Sequence, residues 1–121
     1  MNIVVAEDEF LIADMLVVSL EEAGHRVRDA PHGAGALRLI QEERPDLLIT
    51  DFMMPLMTGL ELAEALRADD GLRDIPIVLV SGAQGLIARE RSDLFDIVID
   101  KPYRIERILE ALARLIAKPI D

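Results

Sequence analysis

Short apolar runs recur along the chain: Ile3-Val4-Val5, Leu47-Leu48-Ile49, Ile77-Val78-Leu79-Val80 and Ile97-Val98-Ile99. Each is nearly unbroken, without the in–out alternation of a half-exposed strand. This is the pattern of strands covered on both faces in a parallel sheet. "RVRDA" at 26–30 is shorter and more polar, which predicts an edge strand.

Helical spacing fills the intervals. Residues 9–23 place Leu11, Met15 and Val18 on one face, with Ile12, Leu16 and Leu20 beside them, and Gly24 is the expected stop. A weaker helix is predicted over 34–43 around Leu37 and Ile40, ahead of Pro45. Thr58 followed by Glu61 reads as a capping box for a helix to about Ala68. The segment 84–95, "QGLIARERSDLF", is the poorest helix candidate. Residues 104–117 are the clearest, with Ile105, Ile108, Leu109, Leu112, Leu115 and Ile116 in one stripe opposite Glu106, Arg107, Glu110 and Arg114.

Five strands alternating with five helices predict an α/β fold: a doubly wound, five-stranded parallel sheet with helices on both faces. The right-handed crossover rule and the common winding of such sheets give strand order 2-1-3-4-5, the flavodoxin-like arrangement. The 121 residues fit one domain, and no repeat or linker divides them.

Charge and composition narrow the function. A formal net charge of -10 argues against direct nucleic-acid binding and against anionic membranes. No apolar run approaches the ~20 residues of a membrane span. No export signal is visible, so a cytoplasmic location is expected. The absence of cysteine excludes disulfides and thiolate metal sites.

In a doubly wound sheet, functional groups gather beyond the carboxyl ends of the strands. There the sequence places Glu7, Asp8 and Glu9 after the first strand and Asp51 after the third. Ser81 ends the fourth, and Asp100-Lys101-Pro102 the fifth. Two carboxylates ~4 Å apart repel by roughly 4 kcal/mol at an effective dielectric near 20. One lysine cannot neutralise several. A hard divalent cation with oxygen ligands can, and Mg2+ fits best because it accepts carboxylates together with phosphate oxygens. The Lys101 ammonium is a point charge for a phosphate oxygen. Phosphoryl chemistry with Asp51 as acceptor nucleophile follows.

"AED" at 6–8, "DFMMPLMTG" at 51–59, "VSG" at 80–82 and "DKPY" at 100–103 together resemble the receiver domain of two-component response regulators, in particular the single-domain, chemotaxis-regulator-like type. The resemblance covers essentially all of residues 1–121, with no output domain in view. It implies Asp51 as phosphoacceptor, Asp8 as direct magnesium ligand, Glu7 as a ligand through water and the Met53 carbonyl as a third contact. It further implies that Ser81 binds the phosphoryl group, that Lys101 is the family's lysine, and that the Lys101–Pro102 bond is cis. The implied partners are a histidine kinase or histidine phosphotransfer protein upstream and a protein target downstream. The chain would be a phosphoacceptor rather than an enzyme, with at most self-directed phosphotransfer and autodephosphorylation.

Two departures touch the readout. The family places Tyr or Phe three residues before its lysine, where this chain has Val98, and Ser81 is followed by Gly82 rather than alanine. Other classes fit less well. An aspartyl phosphatase of the haloacid dehalogenase type needs a second aspartate at position 53, which is Met. A nucleotide-binding loop with Gly and Lys-Ser/Thr is missing, and a flavodoxin would carry Ser and Thr where this chain has acids after the first strand. A phosphorylation-independent scaffold would have lost an acid or the lysine, and here all are present. The surface is the expected place of His25 and His32.

Overall fold

A computed structural model of the protein describes residues 1–82, 89–91 and 93–116. Five parallel strands, β1 (Asn2–Ala6), β2 (Arg26–Ala30), β3 (Leu47–Asp51), β4 (Ile77–Ser81) and β5 (Ile97–Asp100), form one sheet in the order β2-β1-β3-β4-β5. The described residues hold four helices: α1 (Phe10–Glu22), α2 (Gly33–Glu42), α3 (Gly59–Arg67) and α4 (Ile105–Ile116). The sheet type, the strand order and the edge position of β2 are as the sequence predicts. Half of the helix expected over 84–95, residues 84–88 and 92, lies outside the described residues.

The unbroken apolar runs have a simple cause. Each strand feeds two cores. Val4, Leu48, Ile77 and Leu79 point to one side, where Ile40 of α2 and Leu62 and Leu66 of α3 cover them. Ile3, Val5, Leu47, Ile49, Val78, Val80 and Ile99 point to the other, against Leu16 and Leu20 of α1 and Ile108 and Leu112 of α4. With water excluded from both faces, no strand position in the centre of the sheet tolerates a solvated side chain.

The capping box forms as expected. The Thr58 hydroxyl accepts from the Glu61 N–H at 3.1 Å, and the Glu61 carboxylate accepts from the Thr58 N–H at 3.0 Å. Gly24 follows α1 with φ +97°, the left-handed conformation that favours glycine at a helix end. Of the two apolar groups that the sequence places on α1, the one with Leu16 and Leu20 turns inward. Leu11, Met15 and Val18 are exposed, while Ala13, Leu16 and Leu20 are buried. Because α1 is apolar nearly all round, periodicity alone could not choose its buried face. His32 is not a free surface residue either: its Nδ1 accepts from the Gly35 N–H at 2.9 Å and caps α2.

Candidate functional site

Register brings the strand ends together. Ala6 pairs with Thr50, Asp51 with Val80, and Ser81 with Asp100, so the residues that follow β1, β3, β4 and β5 share one edge of the sheet. Glu7 and Asp51 are buried there, at 3% and 7% exposure, while Asp8 is exposed at the rim. One carboxylate oxygen from each of Glu7, Asp8 and Asp51 lies within 4.8 Å of the others. This constellation of hard oxygen donors around a common point fits a divalent cation such as magnesium.

Lys101 closes the site from β5. Its Nζ is 3.2 Å from Asp51 Oδ2 and 3.5 Å from Glu7 Oε1. Partial burial pulls the Lys101 pKa down, but the charges of Asp51 and Glu7 outweigh it and the net shift is upward, so the ammonium stays charged. The Lys101–Pro102 peptide is cis, as the resemblance implies. The other Asp51 oxygen, Oδ1, accepts the N–H of Phe52 at 2.8 Å. Oδ2 therefore remains the oxygen facing Lys101.

Ser81 is fully buried, and its hydroxyl has no hydrogen-bond partner among the described residues. A buried hydroxyl left unpaired costs on the order of 1–3 kcal/mol. Such a group is a donor in waiting at the end of the strand next to Asp51. Met53 lies two residues beyond β3 with its side chain exposed. The loop that carries it turns through Leu56, a non-glycine residue at φ 69°, which costs of order 1 kcal/mol. Met54 is buried beneath this loop and Met57 packs onto the same core, as expected of methionine in an irregular gap. Gly59 opens α3 directly against β3: a Cβ there would collide with the Asp51 carbonyl oxygen. Its N–H donates to the Phe52 carbonyl at 2.7 Å.

The acids impose a pH dependence. Burial, aided by the neighbouring Asp51 charge, pushes the Glu7 carboxyl from 4.5 up to about 7, against the lowering effects of the Glu9 N–H and Lys101. An acid whose pKa is higher in the folded chain binds its proton more tightly there. Its contribution to stability is therefore lost as pH rises through the window from 4.5 to about 7. At 1.36 kcal/mol per unit the loss is on the order of 3 kcal/mol. Urea denaturation of the metal-free protein across that window is expected to show this decline, and the Glu7→Gln variant to lack it. Identical pH slopes for the two proteins would contradict the assignment.

One residue of the site had no forecast in the sequence. Tyr103, two positions beyond Lys101, carries an enclosed hydroxyl without a partner among the described residues. Its pKa is pushed up to about 12, first by burial and then by the charges of Glu7, Asp51 and Glu9. A tyrosine between Lys101-Pro102 and Arg104, in a charged loop, gives no pattern by which to foresee this.

Residues 3–113 match the response regulator receiver domain. The chain belongs to this family. Among its relatives are the polar-differentiation response regulator DivK of Brucella anthropi, 31% identical over 92% of each chain. The response regulator receiver protein CpdR of Brucella abortus is 33% identical over 95% of this chain and 96% of its own. Other relatives are matched over only part of their length, such as the transcriptional regulatory protein PhoB of Pseudomonas aeruginosa. It is 37% identical over 66% of this chain, a match spanning 35% of PhoB. Among solved structures, the receiver domain of a signal transduction histidine kinase from Syntrophus aciditrophicus superimposes with a TM-score of 0.88 at 30% identity, covering 99% of this chain and 94% of that one. The chemotaxis response regulator CheY4 of Vibrio cholerae gives 0.85 at 27% identity, over 94% and 97%. No described helix is long and apolar enough to cross a membrane.

Proposed function

We propose that this receiver accepts a phosphoryl group on Asp51 from the phosphohistidine of a histidine kinase or phosphotransfer protein, and in that state presents a changed protein-binding surface in the cytoplasm. One observation carries the reading: Asp51 Oδ2 sits 3.2 Å from the Lys101 ammonium inside a cluster of three carboxylates. In the transfer, an Asp51 oxygen forms a bond to phosphorus as the phosphorus–nitrogen bond of the donor breaks, and the released imidazole takes up a proton. Lys101 pairs with a phosphoryl oxygen, and the Ser81 hydroxyl donates to another. Asp8 and Asp51 would hold magnesium directly, Glu7 through water and Met53 through its carbonyl. Magnesium, when bound, supplies the positive charge that lets a phosphoryl group approach buried acids. The protein acts as acceptor and not as an enzyme on a separate substrate.

Incubation with acetyl phosphate and magnesium is expected to add the mass of one phosphoryl group, and chelation with EDTA to prevent it. An intact mass that does not change at any magnesium concentration would overturn the proposal.

A further inference from the structure

Two glycines meet the loop between β3 and α3 at its backbone. Gly59 does so at the Asp51 carbonyl oxygen, as described above. Gly33, the first residue of α2, meets the same loop from behind, at Met57. A Cβ on Gly33 would collide with the Met57 carbonyl oxygen and lie 2.7 Å from the Met57 Cβ and 2.9 Å from its Cγ. Carbon atoms rest at ~3.5 Å or more, so helix and loop would have to part by roughly 0.8 Å. The oxygen belongs to the backbone, so no rotamer of Met57 relieves the overlap.

The loop has little room to absorb such a displacement. Met54 is buried beneath it, and Met57 packs on the same core. The ring of Pro55 fixes its φ, and Leu56 is held at φ 69°. The Met57 N–H donates to the Pro55 carbonyl at 2.8 Å. A shift at Met57 therefore passes through Leu56, Pro55 and Met54 to Met53, whose carbonyl is the one assigned above to magnesium. That ion demands near-ideal octahedral geometry, with ligands at ~2.0–2.1 Å.

We propose that Gly33 is a positioning residue for the acceptor site. Lacking a side chain, it lets the first turn of α2 brace the loop and so fixes where the Met53 carbonyl stands relative to Asp8 and Asp51. Gly33 takes no part in the chemistry and acts through Met57. This deepens the phosphoacceptor reading and rests on it.

Gly35, in the same turn of α2, supplies the control. A Cβ there would meet the His32 ring, 2.9 Å from Cε1 and 3.2 Å from Nδ1, and the Ala30 methyl at 3.3 Å. The ring can swing aside at the expense of its bond from the Gly35 N–H, and none of these atoms belongs to the loop. Alanine favours a helix over glycine at both positions, so propensity alone would make both variants more stable.

Amide NMR spectra of the metal-free protein, followed by titration with magnesium chloride, test the proposal. In Gly33→Ala the amide signals of the loop should shift before any metal is added, and magnesium affinity should fall about tenfold, as when a group that orients a metal ligand is lost. Labelling by acetyl phosphate should then need correspondingly more magnesium, yet reach the parent rate at saturation. Gly35→Ala should match the parent in magnesium affinity and labelling, whatever its melting temperature. A Gly33→Ala protein that binds magnesium within twofold of the parent, or a Gly35→Ala protein that weakens binding as much, overturns the inference and leaves the phosphoacceptor reading standing. A parent that takes no label at any magnesium concentration overturns both. Should Gly33→Ala fail to fold, Met57→Ala tests the same contact from the loop side, since it removes the Cγ that Gly33 faces. Unchanged magnesium affinity in that variant overturns the inference.

Discussion

The Asp51→Asn variant is expected to take up no phosphoryl group from acetyl phosphate or a phosphohistidine donor, while keeping its fold. The amide is nearly isosteric with the carboxylate. Its carbonyl oxygen can still accept the Phe52 N–H that Asp51 Oδ1 accepts at 2.8 Å. What disappears is the anionic oxygen that attacks phosphorus. Electrostatics predicts a second effect. Asp51 repels the buried Glu7, so removing its charge should lower the Glu7 pKa from about 7 and ease the metal-free protein at neutral pH. Against this, Lys101 loses one of its two carboxylate partners. The variant is therefore expected to melt close to the parent temperature with labelling abolished. Intact mass spectrometry and thermal melts measure the two halves. Undiminished labelling would remove Asp51 from the acceptor role.

The largest stability effect is expected at Arg67, far from the acids. Its guanidinium donates to the Leu94 carbonyl from Nε at 3.1 Å and from Nη2 at 2.8 Å. It also donates to the Arg73 carbonyl at 2.6 Å and the Ile75 carbonyl at 2.8 Å, and pairs with Asp96 Oδ2 at 3.0 Å. Asp96 in turn accepts the Ile77 N–H at 2.7 Å, at the start of β4. One side chain thus ties the end of α3, the turn into β4 and the approach to β5. The Arg67 side chain is only 20% exposed, so truncation leaves the part-buried Leu94 and Ile75 carbonyls poorly solvated. Arg67→Ala should cost about 3 kcal/mol, mainly because the part-buried Leu94 and Ile75 carbonyls lose their donors, with only a small share from the exposed pair with Asp96. For a chain of this size that lowers the melting temperature by roughly 10–15 °C. Lysine, a single ammonium without the planar fork, should recover less than half of the loss. Calorimetry of the three proteins decides it; an alanine variant within about 1 kcal/mol of the parent would show that the network is not cooperative.

The sheet was legible because its physics is local and redundant. Runs such as Ile77–Val80 are short, unbroken and mostly β-branched, as strands covered on both sides are, and parallel strands of this number wind in few ways. The acids were legible for a related reason: Glu7, Asp51, Ser81 and Lys101 each follow or end an apolar run, so topology alone assembles them. Arg67, by contrast, reads as one more charge in the last turn of a helix, and only the folded chain shows the carbonyls it gathers. The same holds for His32, since histidine is not among the usual helix caps. Leu56 gives no sign of its positive φ, a conformation that its side chain disfavours.

Between Phe52 and Gly59 the chain forms a hoop, closed by the Gly59 N–H on the Phe52 carbonyl and seated against Asp51. Met53 and Leu56 project outward from it and can be exchanged freely as far as the closure is concerned. The length of the hoop cannot change, because one residue more or fewer would part the hydrogen bond and tilt α3 off the strand that carries Asp51. In descendants of this gene, substitutions should therefore accumulate at positions 53 and 56 while insertions and deletions are purged across the whole interval. The rim of the site would diversify, and its distance from α3 would be inherited unchanged.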